Sequence, residues 1–125
     1  MANKRFTRVV YILSQYQISM QRLDRCMDEL CKWKQRETIL GADAVREVME
    51  LINAEAASAA KQRSEAEALM ATVTDERQRL ILRMRFCDGL KLEQIAERMH
   101  LDERWIFRLQ RRAMEQMLQS PLLGE

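Results

Sequence analysis

A heptad repeat through the first thirty residues constrains this chain more than any other feature. Phe6, Val9, Leu13, Tyr16, Met20, Leu23, Met27 and Leu30 recur at alternating spacings of three and four. That is the period of a helix presenting one continuous apolar seam to a partner helix. A strand alternates faces at every residue and cannot hold such a series on one side. The series stops at Lys34, so the spacing predicts a helix over residues 4–38, about 50 Å long at 1.5 Å per residue.

A second series supplies the partner. Val45, Met49, Ile52, Ala56, Ala59, Arg63, Ala66, Met70 and Val73 keep the same alternation, with Arg63 as the one charged member. Asp43 is the expected N-cap, and the link "ILGAD" is short enough to fold the two helices into an antiparallel hairpin. Bulky residues on the first helix face alanines in the middle of the second, which allows close approach. Ile12, Cys26 and Trp33 lie beside the seam and widen the apolar stripe beyond what one helix covers. A second contact is therefore expected, with the C-terminal part or with another chain.

Composition agrees with an all-α fold. Three Gly and one Pro among 125 residues leave little material for hairpin turns, while Ala, Leu, Met, Arg, Glu and Gln favour helix. The charged start "MANKRF" and the short apolar window "RVVYILSQY" predict neither a signal peptide nor a membrane span, so a cytoplasmic protein is expected. Cys26, Cys31 and Cys87 have no Cys-x-x-Cys or Cys/His spacing and read as small core residues rather than a disulfide framework or a metal site. Charge is uneven: residues 1–40 carry eight Lys/Arg against four Asp/Glu, 41–74 three against six, and 75–125 ten against nine. The bulk field therefore gives little attraction to nucleic acid, and any such binding rests on local placement.

The C-terminal half reads as three shorter helices. "TDERQRLILRMRFCDG" has Thr74 as expected N-cap, Asp75 and Glu76 in the first turn, and Gly89 as a stop. Its apolar residues fall on two sides, Leu80, Met84 and Cys87 with Ile81 against Leu82 and Phe86, which predicts a sandwiched helix. "KLEQIAERMH" places Leu92, Ile95, Ala96 and Met99 on one face. His100 closes that helix and has no metal or catalytic partner nearby. After a three-residue turn, Asp102 caps "ERWIFRLQRRAMEQML", so the order is that of a helix-turn-helix. In the last helix Ile106, Leu109, Ala113 and Met117 face inward, and Arg104, Arg108 and Arg111 lie opposite. Trp105 sits beside Arg112 on one flank; Phe107, Met114 and Leu118 line the other. Trp105 and Phe107 are expected to pack against the hairpin or a partner chain rather than to stack on bases.

The run "RQRLILRMRFCDGLKLEQIAERMHLDERWIFRLQRRAMEQM", residues 77–117, resembles region 4 of the sigma-70 family of transcription factors, through "LRMRF", "LEQIAERM" and "RRAMEQM". With a helical segment of this length before it, the chain is similar to the short sigma-like regulators of phages and prophages. The resemblance implies sequence-specific binding of double-stranded DNA in the major groove, with Glu103, Arg104 and Arg108 at base edges and Arg111 and Arg112 toward phosphates. An arginine near the start of a recognition helix also suits bidentate contact with guanine on general grounds. His100 stands where the motif often has Gly. A region that melts promoter DNA has no place beside the hairpin, so the resemblance implies a protein that does not initiate transcription alone.

The organisation expected is a packing or oligomerising hairpin over 1–73, a helix-turn-helix over 74–120 and a short tail over 121–125. The partners expected are double-stranded DNA, RNA polymerase and a second copy through the hairpin, with no membrane, metal or cofactor. A helical adaptor for RNA polymerase or another protein, with little DNA contact, is the main alternative, and a DNA-packaging subunit of the small terminase type is another. No phosphate-binding glycine loop, metal constellation or nucleophile with a base in reach points to an enzyme.

Overall fold

A computed structural model describes residues 2–124, and every regular element among them is helical. Helix α1 spans Ala2–Leu40 and α2 spans Ala42–Ala71. Helix α3, Glu76–Leu82, continues into a π-helical turn at Arg83–Cys87. Helix α4 is Leu92–Met99, α5 is Glu103–Leu118, and a 3-10 turn follows at Pro121–Leu123. No described helix is long and apolar enough to cross a membrane.

Helices α1 and α2 form the expected antiparallel hairpin, but a single residue joins them. Gly41 adopts φ +90°, which a side chain disfavours, and its N–H donates to Glu37 O at 2.8 Å. Gly41 is also the N-cap of α2. Asp43 is therefore not the cap but lies inside the first turn, where its carboxylate pairs with Arg46. Along α2 the seam follows the periodicity: Val45, Ile52, Ala59, Ala66, Met70 and Val73 are buried, and Met49, Ala56 and Arg63 half-buried.

Along α1 the register rotates. Val9 and Leu13 are buried at the near end, but Ser19 and Cys26 occupy the seam further out and Met27 is 59 % exposed. The line Ile12, Cys26, Trp33, expected beside the seam, becomes part of it, together with Ser19, once α1 no longer packs on the C-terminal helices. Ser19 donates its hydroxyl to Tyr16 O at 2.7 Å, so its burial leaves no unsatisfied group. Arg22 and Arg25 reach Gln62 and Glu55 across the hairpin edge. Of the three cysteines expected in the core, Cys26 is buried, Cys87 half-buried and Cys31 exposed.

Two apolar clusters organise the rest. One joins Val9, Leu13, Leu69, Met70 and Val73 of the hairpin to Leu82, Ala113, Met114, Met117 and Leu123. The other, Ile81, Ile95, Ala96, Ile106 and Leu109, is the core of the helix-turn-helix. Helix α3 is sandwiched as expected, but by adjacent residues: Ile81 enters one cluster and Leu82 the other, while Leu80 is 45 % exposed. Its cap is Asp75, whose carboxylate accepts from Gln78 N at 2.9 Å; Thr74 accepts from Gln116 Nε2 instead.

Residues 121–125 are not a loose tail over the part described. Leu123 is 1 % exposed in the hairpin cluster. The Arg5 guanidinium donates to Leu118 O, Ser120 O and Gly124 O at 2.9–3.1 Å, clasping the end of α5 to the start of α1.

The α1 register and cysteine environments together predict uneven thiol reactivity. A disulfide-exchange reagent added to native protein at pH 8 is expected to label Cys31 promptly, with Cys26 and Cys87 slow. A fast reaction at Cys26 would contradict the seam.

Candidate nucleic-acid interface

Local sequence chemistry builds the helix-turn-helix. At the start of α4, Gln94 accepts from Lys91 N at 2.9 Å and satisfies one orphan N–H. Ile95 and Ala96 are buried, Leu92 and Met99 half-buried, and Glu93, Gln94, Glu97 and Arg98 exposed, as the pattern requires.

His100 terminates α4 in the left-handed conformation, φ 55° and ψ 42°. Leu101 N donates to Ala96 O at 3.0 Å and His100 N to Glu97 O at 3.3 Å, which together make a Schellman closure. Leu101 packs on the helix-turn-helix core. Asp102 then caps α5 by accepting from Arg104 N at 3.1 Å. The turn thus holds two helix ends in three residues.

The start of α5 borders an open cavity of about 500 Å³, lined by Leu92, Asp102, Glu103, Arg104, Phe107 and Arg108. It brings together the three residues assigned to base edges. Arg104 and Arg108 lie one turn apart, about 6 Å along the axis, or roughly two base-pair steps of 3.4 Å. Both are exposed, and neither guanidinium has an ion-pair partner among the described residues. Glu103 stands at the lip on the Phe107 side. Its position in the first turn also suits the positive end of the helix dipole.

Arg111 and Arg112 diverge. Arg111 lines a second cavity with Phe6, Phe86 and Phe107, and its Nε is 3.9 Å from Glu115. Arg112 lies over the Trp105 ring at 5.4 Å from its centroid and borders Gln78 and Gln116. The arginines therefore form an arc across the outer face of α5, with Arg111 and Arg112 at its two edges.

The four residues expected to serve packing or partner contact, Trp105 on one flank and Phe107, Met114 and Leu118 on the other, differ in burial. Trp105 is half-buried against the helix-turn-helix core; Met114 is buried and Leu118 half-buried against the hairpin; Phe107 remains 52 % exposed. Sequence reasoning missed that Phe6 and Arg85 line one cavity with Phe107. Their separation in the chain leaves no periodic signal, and Phe6 fits the heptad equally well.

No group of His, Cys, Asp and Glu is arranged for a metal among the described residues. Burial pushes the Cys87 thiol above its ordinary range, partly opposed by Arg83, and burial likewise raises the Tyr16 phenol beside it. A thiol held protonated is a poor nucleophile, so Cys87 acts as packing.

Residues 74–117 match the family model for Sigma-70, region 4. This segment is a sigma-70 region 4-like helix-turn-helix, and region 4 is a DNA-binding rather than a catalytic domain. The match begins just before α3 and ends one residue short of the end of α5. No curated protein and no solved structure matches the chain, so the hairpin is described from its own geometry.

The left-handed His100 sets a stability test for the region 4-like turn. His100→Gly removes a Cβ from a conformation that costs non-glycine residues about 1 kcal/mol. It is expected to raise Tm by several degrees, whereas His100→Val is expected to lower it. Equal melting curves for all three proteins would show that the turn is not strained.

Proposed function

We propose that the chain is a sequence-specific regulator of transcription that reads double-stranded DNA with α5 in the major groove. The observation that carries the reading is the α5 arc itself: four arginines against one glutamate between residues 103 and 112, opposite the buried Ile106–Leu109 face. Arg104 and Arg108 take base edges, with guanine O6 and N7 as the natural bidentate acceptors. Glu103 accepts from a cytosine amino group at the lip. Arg111 and Arg112 straddle the groove and hold the flanking phosphates, fixing the register of the helix.

The hairpin serves as the assembly or partner element, and the chain is read as a short sigma-like regulator of phage or prophage type, acting in the cytoplasm. A second reading, an adaptor for RNA polymerase with weak DNA contact, is favoured by one observation. Residues 75–125 carry ten Lys/Arg against nine Asp/Glu, so little general attraction supports the arginine arc.

Selection of bound duplexes from a random pool is expected to enrich one motif. On that motif, Arg104→Ala and Arg108→Ala should each cost about 1–3 kcal/mol and relax discrimination at separate base pairs. Arg111→Ala and Arg112→Ala should instead weaken all duplexes alike and lower the salt slope by about 0.9 each. Unchanged affinity and slope in the Arg104/Arg108 double variant would overturn the assignment. No enriched motif, with polymerase retained on the purified protein, would establish the adaptor.

A further inference from the structure

Two helix ends carry charge of the sign that their own dipoles disfavour. The first turn of α1 holds Lys4 and Arg5 and no acid, although that end of a helix is positive; the last turn of α5 holds Glu115 and no base, although that end is negative. The fold sets these two ends side by side. Arg5 spreads its guanidinium across the end of α5: Nε donates to Leu118 O at 2.9 Å, Nη2 to Ser120 O at 3.1 Å and Nη1 to Gly124 O at 2.9 Å. One cation from α1 thus caps carbonyls at an end where the sequence of α5 supplies none.

The place of that contact matters because α5 is a lever. Leu118 lies fourteen residues from Arg104, about 21 Å along the axis. A tilt of about 10° at the Leu118 end moves Arg104 by roughly 3.6 Å, close to one base-pair step. Met117 and Leu123 are buried at that end, but apolar burial is non-directional, whereas three hydrogen bonds from one planar group fix an angle. We infer that Arg5 is a positioning residue for α5, setting from α1 the angle at which the hairpin presents Arg104 and Arg108.

The assignment gives the hairpin a role besides assembly. The first turn of α1 and the last turn of α5 share one orientation, so a change at either is felt at the other. Arg5 acts through the α5 carbonyls and makes no contact with DNA. Only the last step, from a changed angle to a changed affinity, rests on the DNA reading.

The test reads angle and affinity separately, on the full chain. Spin labels on the exposed thiol of Cys31 in the hairpin and on the new thiol of Glu97→Cys, at an exposed position of α4, report the direction of the hairpin from the helix-turn-helix. With Arg5 intact, one narrow distance distribution is expected. Arg5→Ala should broaden it with helical circular dichroism unchanged, and so should Arg5→Lys, which keeps the charge but gathers its donors on one atom. On the selected duplex Arg5→Ala should weaken specific binding by about tenfold, with the salt slope and the binding of unrelated duplexes unchanged. A broad distribution with Arg5 intact, no broadening in Arg5→Ala, or full recovery in Arg5→Lys overturns the assignment. So does a salt slope lowered by about 0.9, because Arg5 would then be a phosphate contact. If Arg5→Ala loses helical content, Arg5→Gln, which keeps an aliphatic stem and one donor group, takes its place. A protein that selects no motif overturns the DNA reading, and the distance measurement alone then decides the role of Arg5.

Discussion

The arrangement depends on how α5 is divided between two cores. Ile106 and Leu109, in its first half, pack with Ile81, Ile95 and Ala96; Ala113, Met114 and Met117, in its second half, pack with the hairpin. Helix α3 runs between the same two clusters through the neighbours Ile81 and Leu82. A recognition helix held only by a helix-turn-helix would pivot on a small core. Here its far end is fixed by Leu123 and by three hydrogen bonds from Arg5, so the hairpin sets its direction. The π-helical turn after Leu82 belongs to this arrangement. Its closing bond, Asp88 N to Arg83 O at 3.0 Å, lets Met84 face the helix-turn-helix core while Phe86 and Cys87 face α1.

Rigidity has a consequence for what the hairpin can do. A helix pair held to α5 by a shared core keeps its tip at a fixed direction from the outer face of that helix. A flexible linker would instead let the tip sample many positions. Whatever the tip touches is therefore placed in register with the arginine arc.

Much of this was legible in the sequence because it is encoded in local periodicity. The α2 seam, the one-sided α4, the Asp102 cap and the separation of Ile106 from Arg104 and Arg108 each depend on neighbours within a few turns. The departures come where tertiary packing chooses between locally equal options. Thr74 and Asp75 are both good caps, and Thr74 is taken by Gln116. Gly41 displaces Asp43 because a one-residue link needs a positive φ at the point where α2 begins. Cys26 replaces Met27 in the seam because α1 packs on α5 and the π-helical turn only along its first part. Residues 121–124 looked like a tail because nothing local announces that Leu123 fills a gap between α1 and α5. That Phe6, Arg85 and Phe107 line one cavity had no sequence signal, and the Phe6 heptad position argued for the wrong surface.

Charge balance limits how this module can bind DNA. With ten cations against nine carboxylates beyond residue 74, there is no broad positive field to concentrate duplex near the surface. What attraction exists acts at short range, from four guanidiniums within about 12 Å of helix axis. Counterion release scales with the phosphates neutralised, so with Arg111 and Arg112 as the proposed phosphate contacts the expected salt dependence is shallow and non-specific binding weak. On the proposed reading, specific affinity then rests on base-edge contacts by Arg104 and Arg108 and on how little freedom α5 loses when it docks. The shared core and the Arg5 clasp bear on that last quantity, because a helix already fixed in direction gives up less orientational freedom on binding. Few cations on a rigid element favour discrimination between sites over general adhesion to DNA.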